Sequence, residues 1–289
     1  MKVLVSTDSS CLINYEILKK NNVSLFPLNV IIDGVEYLDN VTIKQDELLK
    51  AMNDKKTIKT STPALGMVIE YFENLFSQGY DKIIHFTISS RLSSMYNLFK
   101  SVSKSEFDDK VIVIDSYCAS ALMLSHVLYA VDELNKGTDI ETIVKNIEKR
   151  KEKSYICFMP KDLNALKNGG RISPAVAAIG NTLGLKPVIS LTNGELIKDT
   201  MATNMKKKFK DIFNSRYEKF KEDEFDYTIV SFDGDEVVVN ALTDHIENVI
   251  NTKVLKGIIP INVCAHCGPG TIGLVASPKI NGKSISEFN

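Results

Sequence analysis

Four short segments of the sequence bring together side chains able to hold an anion or move a proton. In Thr60-Ser61-Thr62-Pro63 a run of hydroxyls precedes a proline and a helical pattern over 64–78. Proline suits the first helical position, and a helix start offers free N–H groups and the positive end of the dipole. The segment therefore reads as an anion-holding helix start or, more plainly, as a helix capped by Thr62. Ser89, Ser90, Ser93 and Ser94 surround Arg91 directly after an apolar strand pattern, where ligands gather in open α/β sheets. Gly169-Gly170 permits a tight turn that aims Arg171, whose planar fork matches a carboxylate or a phosphate. An exposed arginine in a helix-to-helix turn reads equally well.

The fourth segment, Cys264-Ala265-His266-Cys267-Gly268-Pro269-Gly270-Thr271-Ile272-Gly273, invites two motif readings and satisfies neither. Three ligands within four residues cannot wrap one tetrahedral ion, and no second Cys/His pair follows, so no metal site is expected. The glycines match a dinucleotide fingerprint by letter only, with no βαβ unit or acidic residue after them. What survives is His266 in a glycine-rich turn, available for hydrogen bonding or proton transfer. No phosphate loop, metal-binding helix motif or nucleophile elbow occurs, and no cofactor is called for. The carboxylates Asp8, Asp33, Asp39 and Asp115 are scattered and read as turn or cap residues.

The elements that must position these groups alternate between short apolar runs and longer amphipathic ones. Strands are expected at Val3–Ser6, Ser24–Ile32, Lys82–Thr87, Val111–Asp115, Tyr155–Met159, Pro187–Leu191, Tyr227–Ser231 and Gly257–Ile261. Helical patterns lie near 44–53, 64–78, 93–104, 119–135, 139–152, 174–183, 203–221 and 235–251. Such alternation implies crossover units and an α/β fold, with Asp33-Gly34 and Asn193-Gly194 adding antiparallel hairpins. The polar run Glu148–Lys153 suggests a boundary between an N-terminal, mostly parallel α/β domain (1–153) and a C-terminal α+β domain with a mixed sheet (154–289).

The 289 residues are 44% hydrophobic and 25% charged, ordinary for a globular chain, and 35 basic against 36 acidic residues leave a net charge of −1. That balance disfavours nucleic acid as a partner, and the basic stretches at 148–153 and 206–210 read as solvated helix faces. No apolar run reaches the roughly 18 residues of a membrane span. Five scattered cysteines suggest reduced thiols and a cytoplasmic protein.

Taken in order, several motifs resemble the DegV family, whose characterised members are the fatty-acid-binding FakB proteins. They are Ser6-Thr7-Asp8-Ser9-Ser10, Ile32-Asp33-Gly34 with Tyr37 and Asp39, and Thr60-Ser61-Thr62-Pro63. Ser89-Ser90-Arg91-Leu92-Ser93 with Tyr96, Gly169-Gly170-Arg171-Ile172, Lys186-Pro187 and Ala265-His266 complete the set. The resemblance implies a two-domain fold with one long-chain fatty acid in a buried tunnel at the interface. It implies that Thr60 and Ser93, with neighbouring Ser61 and Ser94, hold the carboxylate, and that Arg171 and His266 lie in the same polar region, facing a kinase. It implies a carrier rather than an enzyme, in partnership with a separate fatty acid kinase that makes an acyl phosphate. An acyltransferase of phospholipid synthesis lies downstream, and peripheral membrane contact is compatible with the role.

Small residues at Ala175–Gly180 read either as leaving room for the acyl chain or, nearly as well, as packing their helix closely against the sheet. Three departures from the family pattern stand out: Thr62 replaces glutamine, Ser94 replaces glycine, and Ala202-Thr203 stands where an Arg-Thr pair is usual. Restoring arginine at 202 is expected to favour kinase recognition without touching the tunnel. The alternative function is an enzyme or kinase-like subunit that uses Arg171 and His266 on a small carboxylated or phosphorylated metabolite.

Overall fold

A computed structural model describes all residues except 12, 13, 174, 175, 177–183, 221–224 and 289. The first half of the chain builds a four-stranded, all-parallel sheet in the order β2-β1-β6-β7. Its strands are β1 (Val3–Asp8), β2 (Val23–Phe26), β6 (Lys82–Thr87) and β7 (Val111–Asp115). β1 and β6 alternate across the sheet. Leu4 and Ile83 face α3 (Leu65–Ser77) and α4 (Met95–Glu106), where Phe72 and Phe99 fill the core. Val5, Ile84 and Phe86 face the other way, towards α5 (Ser120–Asn135).

α5 is buried around its whole circumference from Ser120 to Glu133, because it is covered on both sides. β1 packs on one side of it, and β11 (Phe225–Phe232) and β13 (Thr271–Pro278) pack on the other. A helix hydrophobic all round is the expected solution for that position.

The second sheet has six strands in the order β10-β9-β8-β13-β11-β12. It comprises β8 (Tyr155–Met159), β9 (Lys186–Thr192), β10 (Glu195–Ala202), β11, β12 (Leu255–Ile258) and β13, antiparallel except for the β11–β12 pair. One face carries Tyr155, Cys157 and Met159 against α8 (Met205–Phe220) and α9 (Glu236–Ile250). Ile156, Val230 and Val275 point to the other face and join the core of the first half of the chain. A small antiparallel sheet, β4-β3-β5, bridges the two halves; it comprises β3 (Asn29–Ile32), β4 (Val35–Leu38) and β5 (Ile58–Ser61).

The α/β class, the parallel and mixed sheets and both hairpin turns agree with the sequence reading. Asp33 and Gly34 have φ of 49° and 86°, Asn193 and Gly194 49° and 81°, the positive pair that a tight hairpin requires. Three local readings are corrected. The Ser24–Ile32 run is two strands, divided at Pro27-Leu28. Thr60 and Ser61 belong to β5, and the following helix starts at Leu65 with Ala64 before it, so neither Pro63 nor Thr62 opens it. The strand expected at Gly257–Ile261 ends at Ile258, and Ile261–Cys267 is the short helix α10.

The polar run Glu148–Lys153 ends α6 (Ile140–Lys153), just before β8. It is not a solvated face throughout, since Arg150 is buried. Its guanidinium donates to the carbonyls of Lys279 (3.0 Å) and Pro278 (2.6 Å) and to Ser125 Oγ (2.9 Å), and lies over the Tyr129 ring. The helical pattern at 174–183 falls outside the described residues, apart from Val176, which packs on the cluster around Leu166 and Ile172.

Candidate functional site

Parallel strands end in loops at their carboxyl edge, and here those loops face the inner side of the second sheet. Between them lies a cavity. Its wall is largely apolar. Leu28, Ile88, Leu92 and Met95 come from the first half of the chain, and Ile156, Phe158, Leu191, Leu196 and Val230 from the second sheet. The strand period explains the second set. Ile156 and Phe158 are two apart on β8, and Leu191 and Leu196 are directly paired across the β9–β10 hairpin. Gly273 lies in the same row, between Phe158 and Val230, and a Cβ there would press into Val230.

Polar groups converge at one part of the wall. Thr60, Ser61, Ser93, Arg171 and His266 all line the cavity, although they come from β5, the loop after β6, the turn after α7 (Asn164–Asn168) and α10. Thr60 Oγ1 lies 2.9 Å from His266 Nε2. Arg171 donates from Nε to the Leu92 carbonyl (3.2 Å) and from Nη1 to the Gly169 carbonyl (2.5 Å), so its head is held beside Ser93. Among the described residues no carboxylate pairs with Arg171, and Ser93 Oγ has no hydrogen-bond partner.

Two glycines make this placement possible, for different reasons. Gly170 takes φ +68° and turns the chain, whereas Gly169 is needed for space, because a Cβ there would collide with His266 Nδ1. Burial, and after it the charge of Arg171, lowers the His266 pKa to about 4, so the imidazole is neutral at pH 7. Burial also lowers the Arg171 pKa, but the group stays charged. Among the described residues the site therefore offers an uncompensated cation, hydroxyls and a neutral imidazole beside a largely apolar chamber. Thr60, Arg171, His266 and Cys267 also line an outer, more polar groove, with Lys56, Lys59 and Asn168. The polar end thus lies where the cavity meets this groove.

Ser94 does not join the group. It is exposed, and its Oγ lies 2.9 Å from Thr62 Oγ1. Two of the three positions at which this chain departs from the family pattern thus meet each other. Ala202 is 5% exposed in the core around Met205 and Phe209, so the expectation that a plain Ala202→Arg change would create a partner contact is withdrawn. Arginine there would overpack that core or carry its charge into it.

His266 lies in the last turn of α10 rather than in a glycine-rich turn, and Gly268 (φ +75°) follows the helix. The cysteines of this segment, like the remaining three, are buried. Sequence reasoning did not single out Ser10, Asn29, Ser120 and Asn262 as site residues, yet all four line the cavity. The signal for Asn29 was a polar residue inside an apolar run.

Asp8 and Asp39 are buried, and Asp8 caps the turn that follows β1. Asp8 accepts from the Ser10 and Ile88 amides, both at 2.8 Å. Asp39 accepts from Ser9 Oγ (3.0 Å) and from the Asn262 amide (3.1 Å) and Nδ2 (2.8 Å), tying α10 to the first half of the chain. Burial raises these carboxyls to about 6 and about 7, against the pull of their donors.

A cavity at the carboxyl edge of a parallel sheet, closed by a second sheet and tipped with groups able to hold an anion, has the architecture of a small-molecule-binding α/β protein. The chain belongs to the DegV family: the family model described as "Uncharacterised protein, DegV family" matches residues 2–279. A DegV domain-containing protein of Staphylococcus aureus (strain N315) is 32% identical over 287 residues, covering 96% of this chain and 99% of that protein. A DegV family protein from Thermus thermophilus, described for its fatty acid binding, superposes with a TM-score of 0.88 at 25% identity, covering 96% and 100% of the two chains. A stearic-acid-binding protein from Eubacterium ventriosum superposes at 0.86 with 26% identity, covering 97% and 99%. The fatty acid kinase B3 protein of Streptococcus pneumoniae, loaded with linoleic acid, shares the fold at a TM-score of 0.81 and 18% identity, with 96% and 100% covered. Among the described residues no helix is long and apolar enough to cross a membrane.

Proposed function

We propose that this chain is a cytoplasmic carrier that binds one long-chain fatty acid, with its tail in the apolar cavity and its carboxylate at Thr60, Ser61 and Ser93. Arg171 and His266 complete the polar end and face the outer groove. There a separate fatty acid kinase phosphorylates the carboxylate, and the acyl phosphate passes to an acyltransferase of phospholipid synthesis. The chain performs no turnover of its own, and its two domains, 1–153 and 154–289, enclose the ligand between them.

The observation that carries this reading is the half-buried Arg171, without a carboxylate partner among the described residues, at the polar end of a largely apolar cavity. A buried charge of this kind calls for an anion, and the apolar wall calls for a long hydrocarbon attached to it. Each methylene buried contributes about 0.8 kcal/mol, so a sixteen-carbon tail supplies a gross ~12 kcal/mol before ordering losses. The fatty acids named for the Thermus thermophilus and Eubacterium ventriosum proteins agree with that chemistry.

Denaturing extraction of the purified protein followed by mass spectrometry tests the reading. A stoichiometric C14–C18 acid is expected; a polar metabolite in its place would overturn the carrier and favour an enzyme acting on small carboxylated or phosphorylated compounds. Incubation of the loaded protein with a fatty acid kinase and ATP tests the second half, with acyl phosphate as the expected product.

A further inference from the structure

Behind the carboxylate-binding hydroxyls, the cavity wall carries two more buried polar side chains. Asn29 is 5% and Ser120 3% exposed, and both line the cavity. Neither Asn29 Oδ1 nor Ser120 Oγ has a hydrogen-bond partner among the described residues. Polar atoms left dry in an interior are costly, so such a pair points to something that occupies the space beside them. Ser120 also holds φ +60°, a left-handed conformation that serine adopts only where its surroundings impose it.

The two residues converge on the end of β1. The Ser120 amide donates to the Ser10 carbonyl at 2.6 Å, and the amide of Leu28, next to Asn29, donates to Ser9 Oγ at 3.0 Å. Asn29 is also paired directly with Ser61 across the β3–β5 ladder, which puts it next to the carboxylate end.

A hydrocarbon satisfies neither atom, and a carboxylate, which only accepts, cannot satisfy the amide oxygen of Asn29. A hydroxyl can meet either need: it donates to Asn29 Oδ1 or accepts from the Ser120 hydroxyl. We infer that Asn29 and Ser120 form a second polar contact for a hydroxyl close to the ligand's carboxyl end. The preferred ligand class is therefore the 2- or 3-hydroxy long-chain acids. The inference rests on the fatty-acid reading above and narrows it.

The test is competitive titration of delipidated protein with palmitic, 2-hydroxypalmitic and 3-hydroxypalmitic acids, in the wild type and in Ser120→Ala and Asn29→Leu. One of the two hydroxy acids is expected to bind about tenfold more tightly than palmitate, the worth of one or two hydrogen bonds. That ratio is expected to fall to within about twofold in both variants. Equal wild-type affinity for all three acids would mean that water meets these groups, and would overturn the inference whether or not the variants fold. A preference that survives both substitutions would overturn it too. If none of the three acids binds, the fatty-acid reading itself fails, and this one with it.

Discussion

Thr60 and Ser93 differ in a way that separates their substitutions. Ser93 Oγ is free of protein partners among the described residues, so Ser93→Ala removes only a ligand contact. It should weaken fatty-acid binding by about 1–3 kcal/mol and leave the melting temperature of the delipidated protein unchanged. Thr60 also holds His266, so Thr60→Ala should weaken binding by a similar amount and lower that melting temperature as well. Unchanged affinity in both would remove them from the site. Arg171 and His266 carry a different expectation: their replacement should reduce acyl-phosphate formation more than binding, because a cation and a hydrogen-bond donor matter most once phosphoryl charge develops. Gly169 tests the packing behind the imidazole. Gly169→Ala should destabilise the protein by about 1–3 kcal/mol through overpacking on His266, and by clearly less in a His266→Ala background. A denaturant double-mutant cycle that shows no coupling would mean that the ring yields freely.

Helix α10 carries His266 but is only seven residues long, too short to hold its position unaided. Asp39 supplies the anchor through Ser9 and Asn262, and burial gives it a distinct pH signature. Its carboxyl is raised from an unperturbed value of 3.8 to about 7. Between those pH values the folded protein holds a proton that the unfolded chain has lost. The Asp39 contribution to stability is therefore complete below about pH 4, declines as pH rises towards 7, and is level above that. Asp39→Asn abolishes this titration, so the stability difference between wild type and variant should shift against the wild type across that window. Denaturation midpoints from pH 4 to 8 measure it, and a flat difference would show that Asp39 ionises normally. The buried histidines act in the opposite direction. His266, lowered to about 4, and His85, lowered to about 3 by burial, favour the fold increasingly as pH rises towards 6.5. They cancel in the wild-type-to-variant comparison.

For the molecule as a whole, the cavity links ligand binding to stability, because its walls come from both halves of the chain. Free fatty acid at a hundred times its Kd adds about 2.7 kcal/mol, which for a chain of this size raises the melting temperature by roughly 4–5 °C. Delipidated protein should therefore melt lower and recover on addition of palmitate. Hexadecanol, with the same tail but no carboxylate, should restore less, since Arg171 gains no anion from it. Equal recovery with both would place the binding energy in the tail alone.

The sequence by itself determined the α/β class, both hairpins, many of the strands and helices (though not β5, β13 or α10), and the segments that meet at the site. These follow from local period and from turn residues such as Asn193-Gly194, whose backbone preferences act within a few positions. The resemblance through its ordered motifs also brought Thr60, Ser93, Arg171 and His266 to attention before any fold was seen. Only the tertiary structure decided their geometry. Thr60 and His266 are 206 residues apart, and no local signal announces a hydrogen bond between them. It likewise removed Ser94 from the group, buried Ala202, and turned Asp39 from a loop carboxylate into the anchor of α10. The Thr60–Pro63 segment shows why local reading falls short. Its hydroxyls and proline favour a helix start, but pairing with Asn29 and Val30 on β3 draws Thr60 and Ser61 into a strand. Burial, close approach and unmet polar atoms arise only when distant segments pack, so the physics that makes this cavity selective is set by the fold.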